Sequence, residues 1–107
     1  MEVTPRELEI YKTADGRAPF SEWMDLQTEP ALGKVMARLK RVQLGNLGDH
    51  RGVGEGVYEL RIDFGSGYRV YFGEDGKRLI VLLIGGTKKT QTRDIETAKR
   101  YWSDYNA

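Results

Sequence analysis

A chain of 107 residues, 39% hydrophobic and 31% charged, has the make-up of one small globular domain over residues 1–107, without disorder or an appended module. The absence of cysteine excludes disulfides, thiolate metal sites and cysteine nucleophiles, and the longest apolar run, residues 79–84, is far too short to cross a bilayer. With a formal net charge of only +1, any nucleic-acid partner must meet a positive face whose acidic counterweights lie elsewhere.

Residues 1–7 show no basic segment followed by an apolar one, so no secretion signal is read and the cytoplasm is the expected location. Residues 9–13 alternate and predict a first strand, with Asp15-Gly16 as the turn after it. Pro19 opens a short helix with Phe20, Trp23, Met24 and Gln27 at helical spacing. Pro30 suits the start of a second helix, in which Leu32, Val35, Met36, Leu39 and Val42 form an apolar stripe and Lys34, Arg38 and Arg41 a basic one. It ends near Gly45, and the glycine-rich residues 45–56 read as a loop.

Tyr58, Leu60, Ile62 and Phe64 then alternate with Glu59, Arg61 and Asp63, and Tyr68, Val70 and Phe72 alternate with Arg69 and Tyr71. Asp75-Gly76 marks a second hairpin turn. Residues 79–84 are apolar throughout, which predicts the central strand, covered on both faces. A last helix begins near Thr92 or Asp94 and turns Ile95, Ala98, Trp102 and Tyr105 inward. The order is β-α-α-β-β-β-α, an α+β domain whose small, twisted, mostly antiparallel sheet is packed by helices.

Strand parity makes a testable statement about the hairpin. If Gly65-Ser66-Gly67 is a three-residue connection, Ile62 faces Val70, Asp63 faces Arg69 and Arg61 faces Tyr71. Arg61 and Arg69 are then diagonal neighbours on the charged face. Two roles stay open: the guanidiniums converge on one phosphate, or Arg69 pairs with Asp63 on a solvated surface. Lys88 and Lys89 follow the apolar strand, either as a site-building pair or as solubilising charge. Tyr71 shares the charged face and is placed to stack on an unpaired base, whereas Trp23, Tyr68, Phe72 and Trp102 fit core positions.

Taken with the element order, Tyr58-Glu59-Leu60-Arg61-Ile62, Gly67-Tyr68-Arg69-Val70-Tyr71-Phe72 and Leu83-Ile84-Gly85-Gly86-Thr87-Lys88-Lys89 resemble the RelE/HigB toxins of type II toxin–antitoxin systems. The branch most similar is the phage-derived Gp49-like, or addiction-module killer, group. Pro19-Phe20-Ser21-Glu22-Trp23 and Arg51-Gly52-Val53-Gly54-Glu55-Gly56 are similar to it as well.

The resemblance implies the RelE-like fold and a metal-independent endoribonuclease, an mRNA interferase without a cofactor that works on the ribosome. A helix-turn-helix antitoxin would neutralise it, and DNA would be met only through that complex. Catalytic roles then fall to Arg61, Arg69, Lys88 and Lys89, which stabilise charge as a 2′-hydroxyl attacks the adjacent phosphate. RNA contacts fall to Arg51, Tyr71, Lys34, Arg38 and Arg41. Some members place a tyrosine, or a histidine and aspartate, at the start of the last helix. Here that stretch is Thr92-Arg93-Asp94-Ile95, so the general base is unassigned. Asp94 can accept a proton but defaults to a helix cap, and the only histidine, His50, sits in the glycine-rich loop. The alternatives are a ParE-like toxin that binds DNA gyrase, and an inactive protein kept as a repressor partner.

Overall fold

Alternation in the second half of the chain builds a sheet, and helical stripes from both halves cover it. The computed structural model describes residues 4–107. Met1, Glu2 and Val3, read above for a secretion signal, lie outside the described residues. The elements are β1 (Glu7–Ile10), α1 (Pro19–Asp25), α2 (Glu29–Gln43), β2 (His50–Gly54), β3 (Val57–Ile62), β4 (Tyr68–Asp75), β5 (Leu79–Thr87), a 3-10 turn (Lys88–Thr90) and α3 (Gln91–Tyr105). The sheet order is β1-β5-β4-β3-β2, with β1 parallel to β5 and the other pairs antiparallel. The α+β class and the mostly antiparallel sheet are as the sequence predicts.

Pleating sends alternate side chains to opposite faces. On one face Leu60, Ile62, Val70, Phe72, Ile80 and Leu82 meet Phe20 of α1 and Val35, Leu39 and Val42 of α2. On the other, Val57, Tyr71, Val81 and Leu83 meet Ala98 of α3, with Ile95, Trp102 and Tyr105 packed around them. Gly85 on β5 is where Trp23 lies flat on the backbone, so an added Cβ would overlap the indole ring. Gly85→Ala is therefore expected to destabilise the protein by about 1–3 kcal/mol, the usual cost of overpacking, seen as a lower denaturation midpoint.

Several expectations need correction. The first strand lies earlier, at residues 7–10, because Glu7 N–H and Tyr11 N–H bond the Arg78 and Leu82 carbonyls and the chain then leaves the sheet. The loop expected at residues 45–56 contains β2, whose glycines and bulge near Gly54 hide the period-2 signal. β5 is covered on both faces, but β4 is the central strand, because β1 and β2 are the edges. On α2, Met36 is 58% exposed, and Arg38 takes an inward position at 4%.

The hairpin register also differs. Ile62 pairs with Tyr68, Leu60 with Val70 and Arg61 with Arg69, so the connection is the five residues 63–67. Phe64 leaves the ladder and stacks on Tyr68 with ring centroids 6.0 Å apart. Slipping by two residues preserves parity. Arg61 and Arg69 stay on one face but stand directly opposite each other, while Asp63 lies in the turn and does not pair with Arg69.

Candidate functional site

Leu60 and Ile62 fill the core under α1 and α2, so β3 turns Glu59 and Arg61 toward the α3 side. On that side Glu59 is flanked across the strands by Arg51 of β2 and Tyr71 of β4. The Glu59 carboxylate is fully buried. Its Oε1 accepts from Arg51 Nε at 2.9 Å and Arg61 Nε at 3.3 Å, with Arg69 Nε 3.8 Å away. Its Oε2 accepts from the Gln91 amide at 2.8 Å and the Tyr71 hydroxyl at 3.0 Å. Burial pushes the Glu59 pKa up, but hydrogen bonds from Gln91, Arg51 and Tyr71, with the Arg51 charge, outweigh it and hold the carboxyl below the usual glutamate range.

Three guanidiniums are thus gathered by one buried anion. Arg51 and Arg61 keep part of their surface in water, whereas the Arg69 side chain is only 12% exposed. One Arg69 terminal nitrogen donates to the Tyr68 carbonyl at 3.1 Å, and its buried Nε has no hydrogen-bond partner among the described residues. Arg61 and Arg69 line a cleft of about 260 Å³ with Asp49, Asp63 and Gly67. Lys88 N–H donates to the Gly67 carbonyl at 2.9 Å, which puts this exposed lysine at the rim. Lys89 stands apart, beside Thr92 and Arg93. Lys34 and Arg41 line an adjoining cleft that shares Arg61, Asp49 and Asp63, and the Lys34 ammonium lies 5.7 Å over the Phe64 ring.

Two of the expected RNA contacts are corrected. Tyr71 is fully buried beneath α3, its hydroxyl pKa raised by burial and the Glu59 charge, so it cannot stack on a base. Arg38 is a brace, because its guanidinium donates to the carbonyls of Leu47 (2.6 Å), Asp49 (3.1 Å) and Arg61 (3.3 Å) and ties the α2–β2 connection to β3. Burial depresses its pKa. Arg38→Met takes this donor from the Leu47 and Arg61 carbonyls, while the Asp49 carbonyl keeps the Arg61 N–H at 3.0 Å, and a loss of about 1–3 kcal/mol is expected in thermal or urea unfolding. Asp94 does not cap α3. Its buried carboxylate accepts the Thr90 hydroxyl at 2.5 Å, against the backbone of Gly86. His50 is exposed, bonded to the Gly48 carbonyl, and projects to the pleat opposite Arg51.

Sequence reading missed Glu59, Gln91 and Asp49. The available signal for Glu59 was the apolar stripe of α3, which needs a sheet face to cover and so buries part of the face that looked solvated.

The family model described as phage-derived protein Gp49-like matches residues 22–103, a span containing every arginine of the cluster and Glu59. The chain belongs to the Gp49-like family. This family is the addiction-module branch of the RelE-like toxins, and membership is consistent with a toxin of a toxin–antitoxin pair that has an antitoxin partner. An uncharacterized protein of Haemophilus influenzae is 48% identical over 81 residues, which is 75% of this chain and 82% of the relative. Among the described residues, no helix of this Gp49-like protein is long and apolar enough to cross a membrane.

Proposed function

We propose that this Gp49-like protein is a metal-independent endoribonuclease toxin that cleaves messenger RNA on the ribosome and is silenced by an antitoxin. Arg69 carries the reading: a nearly buried guanidinium held beside a second arginine by Glu59, in a cleft with a lysine at its rim. Two guanidiniums lining one cleft favour an anion there, and a phosphate matches their geometry. The scissile phosphate sits between Arg61 and Arg69. The 2′-oxygen bonds to phosphorus as the bond from phosphorus to the 5′-oxygen breaks, giving a 2′,3′-cyclic phosphate and a 5′-hydroxyl. The arginines stabilise the charge that accumulates on the phosphoryl oxygens, and the Lys88 ammonium gives a proton to the leaving 5′-oxygen and regains one from water. Asp49 or Asp63, the acidic residues lining the same cleft, takes the 2′-hydroxyl proton. Glu59 is buried behind the arginines and positions them. Arg51, Lys34 and Arg41 extend the path for the RNA backbone, while Lys89 lies beside it.

A gyrase-directed toxin of ParE type is the second reading, favoured by the same enclosure of Arg69 if the cluster serves folding alone. Expression of the chain without an antitoxin, with RNA ends mapped across the transcriptome, separates them. New messenger ends with 5′-hydroxyl termini are expected. Growth arrest with intact RNA and halted DNA replication would overturn the nuclease.

A further inference from the structure

Beyond the end of β1, the edge of β5 over residues 84–87 lies open to a second cleft. It measures about 350 Å³ and lies between α1 and the first turn of α3. Trp23, Gln27, Tyr68, Thr90, Arg93 and Asp94 line it around Gly85 and Gly86. This cleft curls round the β5 edge and reaches the proposed phosphate site at Gly86, which stands directly opposite Arg69, while Tyr68 lines it from the other face of the sheet.

The lining has a specific chemistry. Asp94 is 4% exposed; its Oδ2 takes the Thr90 hydroxyl, and its Oδ1 lies 3.8 Å from Arg93 Nε and accepts no hydrogen bond among the described residues. A buried carboxylate with unspent acceptor capacity selects a ligand that offers hydrogen-bond donors. Trp23 and Tyr68, edge to face at 6.2 Å, supply aromatic surface beside it. The Gln27 amide nitrogen is fixed on the Trp23 carbonyl at 2.9 Å, which leaves its amide oxygen as a further acceptor. Among RNA bases, guanine alone presents two adjacent donors, the ring N1–H and the exocyclic amine, on its pairing edge. Adenine and cytosine put an acceptor beside the amine, and uracil has a single donor between two acceptors.

We propose that this cleft is a nucleobase pocket that takes an unpaired guanine next to the scissile phosphate, read by Asp94 and held against Trp23 and Tyr68. The inference rests on the RNA-cleaving reading but has its own readout. Short single-stranded RNAs carrying one guanine, or inosine or adenine in its place, are titrated against the full chain by calorimetry, with a 2′-deoxy residue blocking cleavage. Guanine is expected to bind ~10- to 100-fold more tightly than adenine, with inosine, which lacks the exocyclic amine, in between. Asp94→Asn should erase the difference, and mapped cleavage ends should lose their guanine bias. Equal affinities for the three RNAs would overturn the pocket, as would a guanine preference that survives Asp94→Asn. The inosine comparison holds even if that variant folds poorly. Guanine-selective binding without RNA cleavage in cells would sink the nuclease and leave the pocket standing. Cleavage with no base bias would do the reverse.

Discussion

Arg69→Met is expected to abolish RNA cleavage and growth arrest while leaving the protein as stable as before or slightly more so. Methionine keeps the packing of the side-chain stem and removes the charge. Loss of one preorganised charge-stabilising donor typically costs about 10²–10³ in rate, so cleavage should fall below detection in cells. Stability should not follow, because Glu59 keeps its hydrogen bonds from Arg51, Arg61, Gln91 and Tyr71 when Arg69 is gone. What disappears with Arg69 is a poorly solvated cation held by one hydrogen bond to the Tyr68 carbonyl and a long 3.8 Å ion pair to Glu59, its Nε making no hydrogen bond among the described residues. Comparing melting temperature with mapped RNA ends separates the two roles. If the melting temperature falls sharply with activity, the arginine is structural and the nuclease assignment loses its main support.

Glu59→Gln is expected to behave differently, costing both stability and activity. A neutral amide in that position leaves the guanidiniums without their anion and turns an N–H₂ toward donors. Removing one partner of a buried ion pair costs about 3–5 kcal/mol. The lower end applies, because Arg51 and Arg61 are partly exposed and can swing into water. The pH dependence supplies a second signature. The folded-state pKa of Glu59 is depressed, so its contribution is fully present above the pKa of glutamate in an unfolded chain, about 4.3, and is lost as pH falls from there through the lower folded value. Urea unfolding followed from neutral pH into the acid range should show this segment of acid sensitivity in the parent protein and a shallower one in Glu59→Gln.

The fold class was legible because its carriers are periodic. Val35, Leu39 and Val42 on α2, Leu60 and Ile62 on β3, and Ala98 and Trp102 on α3 repeat at the spacing of their elements. β2 was not legible, because a strand with glycines at 52 and 54 has no alternating pattern to read. The register error came from Phe64, an apolar residue that satisfies itself by stacking on Tyr68 within the turn. Parity survives a two-residue slip, so the shared face of Arg61 and Arg69 was visible from sequence although their partners were not. Glu59 was hidden because a charged residue in an alternating strand reads as solvent-facing until the covering helix is placed. Arg38 and Tyr71 failed as RNA contacts for a related reason: their polar ends are spent on carbonyls and on Glu59, inside the protein.

The parallel pairing of residues 7–10 with residues 79–82 also bears on when this molecule comes into being. β1 leaves a ribosome well before its hydrogen-bonding partner, which lies far along the chain at residues 79–82. Such long-range closure is slow, because loop entropy is lost before the contact rewards it. The arginine cluster has the same timetable, since it needs β2, β3, β4 and Gln91 at the head of α3. A chain made only as far as β4 therefore has the charges without their full arrangement, and assembly of the site waits until Gln91 has been made.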